Sequence, residues 1–318
     1  MADLMKFFIV RCQMIIGLIV LCLALPSWAT RHALLVGVHK YPAGSGARLL
    51  PGATNDVRLL SDTLLRQGFQ QQEITLLNDD IKGAASPTRK NILHALNQLA
   101  SSAKSGDFVF IHFSGHGSQQ PVNPEIKVMH KEPDGRNETF LPIDIGKWSS
   151  ASRTVVNAIV DYELDKILQQ MLDAGVFVWW SFDSCHSASI LRSLDEDRIV
   201  QRHVLPLNLG IPQSALDAVV GETHDGPRGM PAGRFPAARS EGAIQGNGGF
   251  VAFHAAQTDE LAPEMAMPSE AVSSGVARKP HGVFTYTLAE ALNTRPSATY
   301  RELMQFILSR YMAQNLLH

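Results

Sequence analysis

Cysteine is scarce in this chain: 318 residues hold only Cys12, Cys22 and Cys185. There is no CxxC pair and no HExxH, so the short ligand spacings of a zinc site are missing. Charge of either sign is thin as well. Charged residues make up 18% of the sequence and the formal net charge is −2, which excludes a global electrostatic pull on nucleic acid or an anionic membrane. No GxxxxGK(S/T) phosphate loop and no internal repeat is present. What remains is an ordinary globular composition, 45% apolar, long enough for one large or two small domains.

The N-terminus departs from that picture. Lys6 and Arg11 precede an apolar run from Met14 to Leu25, and Pro26-Ser27-Trp28-Ala29 follows with small residues three and one places before Thr30. This is the three-part pattern of a secretory signal peptide, residues 1–29, cleaved after Ala29. A membrane anchor is the competing reading, but the apolar core is short for the roughly 20 residues of a span. The expected product is exported, periplasmic or secreted, with no membrane attachment after cleavage. Cleavage removes Cys12 and Cys22 and leaves Cys185 as the only mature thiol, so no intramolecular disulfide can form. Such a thiol is either buried as a small hydrophobe or put to use.

Apolar runs at 32–38, 73–77, 108–113, 176–182 and 250–253 read as strands. Helical spacing recurs over 55–67, 88–100, 162–172, 283–292 and 300–311. Strands alternating with amphipathic helices predict an α/β fold, a mainly parallel sheet with helices on both faces. Residues 114–152 read as a long polar stretch. From about 194 to 249 Gly and Pro are frequent, and Arg198, Arg202, Arg228, Arg234 and Arg239 are interspersed. A connection of that length inside a domain is functional or disordered. The reading is one domain over 30–318, interrupted by a mobile connector at about 194–249. The amphipathic finish at Leu317-His318 is consistent with a longer chain.

Two strands end in chemistry. The first leads into His112-Phe113-Ser114-Gly115-His116-Gly117-Ser118, the second into Asp183-Ser184-Cys185-His186-Ser187. An open α/β sheet places its active site outside the carboxyl ends of its strands. A Cys thiolate there, activated by a His, is a nucleophile. His112 lies within the apolar strand and reads as a structural residue. His186 directly follows the Cys, and its side chain points away from the thiol on any turn. His116, between two glycines at the strand end, is the candidate base. The amides of Gly117 and Cys185 are placed to hold an oxyanion.

These segments resemble the His and Cys motifs of the metacaspases, a family of caspase-like cysteine peptidases. The resemblance extends through HALLVGVHKYP, LPGATNDVRLL, PTRKNILHAL, NETFLPID, GGFVAFHAAQTDELAPE and HGVFTYTLAEAL, nearly the whole mature chain in order. The caspase pentapeptide around the nucleophile is absent. The resemblance implies a caspase-like fold and an endopeptidase cutting after Arg or Lys, with His116 as base and Cys185 as nucleophile in a thioester mechanism. Its substrates are proteins or peptides with Arg or Lys before the scissile bond, with no nucleic-acid partner and a monomeric enzyme. It also implies an acidic substrate pocket at Asp56 and Asp183 with Ser114 beside them, and two carboxylates suit a guanidinium. Asn55 or Asp56 also reads as a helix N-cap. Ala53 and Ala188 depart from the family pattern. Calcium-activated members carry an acidic cluster after the His segment. Here Lys131, Asn137 and Lys147 dilute Glu125, Glu132, Asp134, Glu138 and Asp144, and Arg192 follows the nucleophile. No cofactor is therefore expected and no metal residue is assigned, while calcium dependence, which this dilution argues against, stays open. An Arg-bearing loop behind an Arg-directed nucleophile is a candidate for self-cleavage or an ordinary solvated loop. Two other functions stay open: a caspase-fold binding or regulatory module without activity, and a thiol hydrolase of other specificity.

Overall fold

Five apolar runs pair in parallel to form the central sheet, in the spatial order 250–254, 177–183, 108–114, 31–37 and 74–78. The structure, a computed structural model, describes residues 29–123, 125, 135–185, 200–220, 247–256, 262–268, 277–314 and 316. Its main unit spans Arg31–His318. In chain order the elements begin with β1 (Arg31–Gly37), α1 (Pro51–Arg66), β2 (Ile74–Asn78), α2 (Arg89–Ser102) and β3 (Phe108–Ser114). Next come β4 (Gly117–Pro121), β5 (Arg136–Phe140), β6 (Trp148–Ser149), β7 (Thr154–Val155), β8 (Ile159–Val160) and α3 (Asp161–Asp173). Then follow β9 (Phe177–Asp183), β10 (Val200–Gln201), α4 (Gln213–Val220), β11 (Phe250–His254), β12 (Pro263–Met267) and β13 (Lys279–Gly282). The last two helices are α5 (Val283–Thr294) and α6 (Tyr300–Ala313).

Alternation along each strand divides the core. Ala33 and Leu35 of β1, Phe110, Trp179 and Phe253 pack on one face against Val57, Leu60 and Leu64 of α1, Leu288 of α5, and Leu303 and Ile307 of α6. Leu34 and Val36, with Val109, Ile111, Val178 and Trp180, pack on the other face against Ile92 and Leu96 of α2 and Leu164, Leu168 and Met171 of α3. Both faces of the parallel sheet are thus covered by helices, as its apolar strands require. The fold is the α/β class with a central parallel sheet, consistent with a caspase-like architecture. Strand order reverses between β1 and β3, which opens a crevice at their carboxyl ends.

Three local features differ from the sequence reading. Helix α1 starts at Pro51, whose fixed φ suits the first helical position, so neither Asn55 nor Asp56 caps it; Asp56 lies inside the helix with its side chain buried. The polar stretch after β3 contains a three-stranded antiparallel sheet, β4-β5-β8, and the β6–β7 pair. Residues 200–220, inside the expected connector, form β10, a 3-10 turn at Pro206–Leu209 and α4. Strand β10 pairs antiparallel with β12. Residues 1–28, 186–199 and 221–246, which hold the signal-peptide reading and the rest of the connector, lie outside the described residues. Among the described residues no helix is long and apolar enough to cross a membrane.

Candidate active site

Strands β3 and β9 are neighbours with His112 opposite Ser181 and Ser114 opposite Asp183. Period-two alternation therefore sends Ser114 and Asp183 to the face covered by α1, where Asp56 lies. Beyond β3 the chain turns through Gly115, where a Cβ would meet the Phe140 ring and the Tyr41 hydroxyl, each at 2.9 Å. This close approach seats His116 against Tyr41. The His116 amide donates to Tyr41 Oη at 2.8 Å, and the two rings meet edge-on at 4.9 Å.

The His116 ring is held in one tautomer. Its Nε2 lies 2.9 Å from the carbonyl oxygen of Arg48, which can only accept, so the proton sits on Nε2 and Nδ1 carries the lone pair. Nδ1 is buried with no hydrogen-bond partner among the described residues. Burial pushes the His116 pKa down to about 3; the Arg48 carbonyl opposes the shift and the Arg202 charge adds to it. The ring is thus neutral at ordinary pH and able to accept a proton at Nδ1. Cys185 is 1% exposed and closes the other strand end.

Arg202 lies over both strand ends. Its carbonyl oxygen accepts from the Gly117 amide at 3.0 Å and from the Cys185 amide at 3.1 Å. Its side chain is fully buried in an acidic pocket. Nη2 reaches Asp56 Oδ2 at 2.7 Å and Glu264 Oε2 at 3.0 Å; Nη1 reaches Ser114 Oγ at 2.9 Å and Asp183 Oδ1 at 3.0 Å. The Ser114 hydroxyl in turn donates to Asp56 Oδ2 at 2.9 Å. Asp56 Oδ1 takes His281 Nδ1 at 3.0 Å and the Gly282 amide at 3.2 Å. The Thr285 amide donates to Asp183 Oδ2 at 2.9 Å, and the Thr285 hydroxyl donates to the same oxygen.

Three carboxylates face one guanidinium, and they titrate differently. Burial would raise Asp56, but Arg202 and His281 more than offset it and hold that carboxyl below its ordinary value. Burial raises Asp183 to about 6 against the pull of Arg202, with the Asp56 charge adding to the rise. Glu264 is raised as well, again by burial. The same carboxylates raise the Arg202 pKa despite its burial. Two glycines make room for this cluster. A Cβ at Gly282 would collide with Asp183 Oδ2 and meet Arg202 Nη1 at 2.5 Å; one at Gly52 would meet the Glu264 carboxyl at 2.5 Å.

A family model described as metacaspase, peptidase C14 domain, matches residues 31–194. The chain belongs to the metacaspase family. It is 28% identical over 290 residues to Metacaspase-1 of Mycosarcoma maydis, covering 87% of this chain and 66% of that protein. It is 36% identical over 164 residues to Metacaspase-1A of Aspergillus oryzae, covering 51% of this chain and 35% of that protein. The chain thus spans between about a third and two thirds of the length of these relatives. A crystal structure of a Geobacter sulfurreducens protein shares the fold, with a TM-score of 0.56 at 21% identity over 88% of this chain and 89% of that one.

Within this metacaspase chain, all five side chains singled out in the sequence fall in the matched span and converge at the strand ends. Asp56, Ser114 and Asp183 share one guanidinium, His116 and Cys185 follow the two strand ends, and the Gly117 and Cys185 amides share the Arg202 carbonyl oxygen. Arg202, Glu264, His281 and Thr285 lie beyond that span, and the sequence reading gave them no role at the site. A signal existed only for Arg202, an arginine downstream of an acid-flanked nucleophile. His112 is a satisfied core residue: Nδ1 lies 3.0 Å from Ser181 Oγ and Nε2 lies 3.3 Å from Thr285 Oγ1. Ala53 is buried in α1. His186, Ala188, Lys131, Glu132, Asp134 and Arg192 lie outside the described residues. In the stretch read for calcium, Asp144 Oδ1 accepts the Arg89 amide at 2.8 Å and Lys147 Nζ donates to the carbonyls of Gly44 and Asn208. Among the described residues, no group of three or more acidic, His or Cys side chains is suited to a metal ion.

Proposed function

We propose that this metacaspase is a cysteine endopeptidase that cleaves proteins or peptides after Arg, and less readily after Lys. The observation that carries the reading is the enclosure of a guanidinium by Asp56, Asp183 and Glu264 beside the strand ends that bear His116 and Cys185. Asymmetric recognition of both Nη atoms matches the planar fork of arginine. In this mechanism the Cys185 thiolate attacks the scissile carbonyl carbon while His116 holds the thiol proton. The Gly117 and Cys185 amides stabilise the oxyanion. His116 then hands the proton to the leaving amine, leaving a thioester on Cys185, and water releases the acyl group as a carboxylate. The Arg48 carbonyl keeps the imidazole in the tautomer this requires.

A panel of fluorogenic peptides with Arg, Lys or Asp before the scissile bond tests the reading on wild type and Cys185→Ala. Arg substrates should be turned over by wild type alone. Turnover surviving Cys185→Ala overturns the mechanism, and equal turnover of Asp substrates overturns the pocket. The filled pocket also favours a second reading, a caspase-fold module without turnover; that reading requires every substrate in the panel to stay intact. The signal-like residues 1–29 extend the proposal to an exported monomer whose N-terminus is Thr30, which N-terminal sequencing of the secreted protein checks.

A further inference from the structure

The strand ladder runs out just before the general base. Pairing of β3 with β1 ends at Gly37 opposite Ser114, and pairing with β9 ends at Asp183 opposite Ser114. The Gly115 amide still reaches the Asp183 carbonyl, at 3.3 Å. The next amide belongs to His116, a residue only 1% exposed, and a buried N–H left unpaired is costly. The Tyr41 hydroxyl oxygen stands in for the missing strand carbonyl and accepts that N–H at 2.8 Å. Burial raises the Tyr41 pKa well above its ordinary value, so the acceptor is a neutral hydroxyl and puts no negative charge beside the base.

The imidazole is held from the same loop, which joins β1 to α1. Tyr41 meets it edge-on at 4.9 Å, and the Arg48 carbonyl takes its Nε2–H. The loop is in turn tied to the carboxyl end of β2. Asp79 receives the His39 amide on Oδ1 at 2.8 Å and the Lys40 amide on Oδ2 at 2.9 Å, so both residues before Tyr41 hang on one carboxylate. The Leu50 amide closes the loop by donating to the His39 carbonyl at 2.9 Å. The Tyr41 ring packs against two apolar clusters, one around Phe113 and Phe140 and one around Leu141 and Leu209. Its place in the fold therefore does not depend on its hydroxyl.

We infer that Tyr41 is a positioning residue for the general base, and that Asp79 fixes Tyr41 through the two amides before it. This rests on the peptidase reading above and adds to it the groups that orient His116. The His116 backbone serves the reaction twice. Its side chain receives the thiol proton, and the amide that follows it, on Gly117, is one of the two assigned to the oxyanion. A single bond to the His116 amide thus steadies both the base and the peptide unit that stabilises the oxyanion. Both tasks belong to the transition state, whereas the substrate guanidinium is bound by Asp56, Asp183 and Glu264. Loss of the Tyr41 hydroxyl should therefore appear in kcat and not in KM.

The test compares the full chain as wild type, Tyr41→Phe, Asp79→Asn and the double variant. Each is assayed on an Arg peptide and in alkylation of Cys185 by iodoacetamide at neutral pH, which reports thiol activation by His116. Tyr41→Phe should lower kcat about tenfold and slow alkylation by a similar factor, with KM changed by no more than about twofold. Asp79→Asn keeps one oxygen acceptor and sets an NH2 group against the other amide, so kcat should fall several-fold at unchanged KM. The double variant should lose less than the product of the two single losses, because Asp79 acts through Tyr41. Losses that multiply overturn the link from Asp79. A Tyr41→Phe enzyme with wild-type kcat and alkylation rate, or with its loss in KM, overturns the inference and leaves the peptidase reading standing. Should Tyr41→Phe not fold, the division of the Asp79→Asn effect between kcat and KM decides in the same way. If no chain cleaves the peptide, the peptidase reading fails, and alkylation alone decides: equal rates for Tyr41→Phe and wild type overturn the inference.

Discussion

His112 Nε2 lies 3.3 Å from Thr285 Oγ1, and this contact sets the direction of a buried chain of donors. The Thr285 hydroxyl donates to Asp183 Oδ2, so it must accept from His112 Nε2–H. His112 Nδ1 is then the acceptor for the Ser181 hydroxyl at 3.0 Å. Burial pushes the His112 pKa down to about 3, so the ring stays neutral and the chain keeps this polarity. The acid of the pocket is thus positioned from inside the sheet.

Thr285→Val keeps the shape and deletes the hydroxyl. It strands the His112 N–H and removes one of the bonds that orient Asp183. Leaving such a donor unpaired costs about 1–3 kcal/mol of stability. For Arg peptides KM should rise about tenfold, the equivalent of one lost charged hydrogen bond, while the rate of Cys185 alkylation stays unchanged. Thr285→Ser should restore both stability and KM. Equal KM values for Thr285→Val and wild type refute the positioning role.

The same histidine predicts acid sensitivity. In the unfolded chain His112 takes up a proton near its ordinary pKa of 6.5, whereas the folded protein resists until about pH 3. The folded pKa is depressed, so this stability is present above pH 6.5 and is lost as pH falls towards 3, by up to ~1.4 kcal/mol per unit. Asp183, raised to about 6, works with the opposite sign: its contribution is present below about pH 3.8 and is lost as pH rises through 6. Denaturant melts between pH 6.5 and 5 should therefore show a shallower pH slope for His112→Gln than for wild type. Parallel slopes contradict the buried neutral ring.

Much of this was legible because local pattern and tertiary role coincide. Alternation in β3 and β9 places Ser114 and Asp183 on one face, and both strands end at their chemical motifs. The helical spacing around Asp56 was legible too, although Pro51 moved the helix start and removed its capping role. Arg202 and Glu264 follow a different logic. Arg202 follows the two-residue β10 and Glu264 is the one charged residue of the short β12, and their partners Asp56 and Gly52 stand 146 and 212 positions away. No periodicity carries information over that distance. Arg48 was invisible for another reason: it contributes a carbonyl, which every residue has.

Glu264 should set the preference for Arg over Lys. Nη2 divides its bonds between Asp56 and Glu264, while Nη1 serves Ser114 and Asp183. A lysine ammonium is a single point and cannot span both sets. Glu264→Gln removes one charged partner of Nη2, so the Arg-to-Lys ratio of kcat/KM should fall about tenfold, chiefly through the Arg substrate. An unchanged ratio would remove Glu264 from the pocket.

Gly282 supplies the sharpest steric test. Its φ of −61° suits any residue, so backbone strain is no reason for glycine here. The reason is space: a Cβ would collide with Asp183 Oδ2 and sit 2.5 Å from Arg202 Nη1. Gly282→Ala puts a methyl where the guanidinium lies while leaving His116, Cys185 and the Gly117 amide untouched. Cleavage after Arg should fall at least about a hundredfold, because the charged hydrogen bonds of Nη1 are lost together. Alkylation of Cys185 by iodoacetamide should not slow, since its surroundings become more open when Arg202 is expelled. Full Arg cleavage by Gly282→Ala would show that substrate guanidinium groups bind elsewhere.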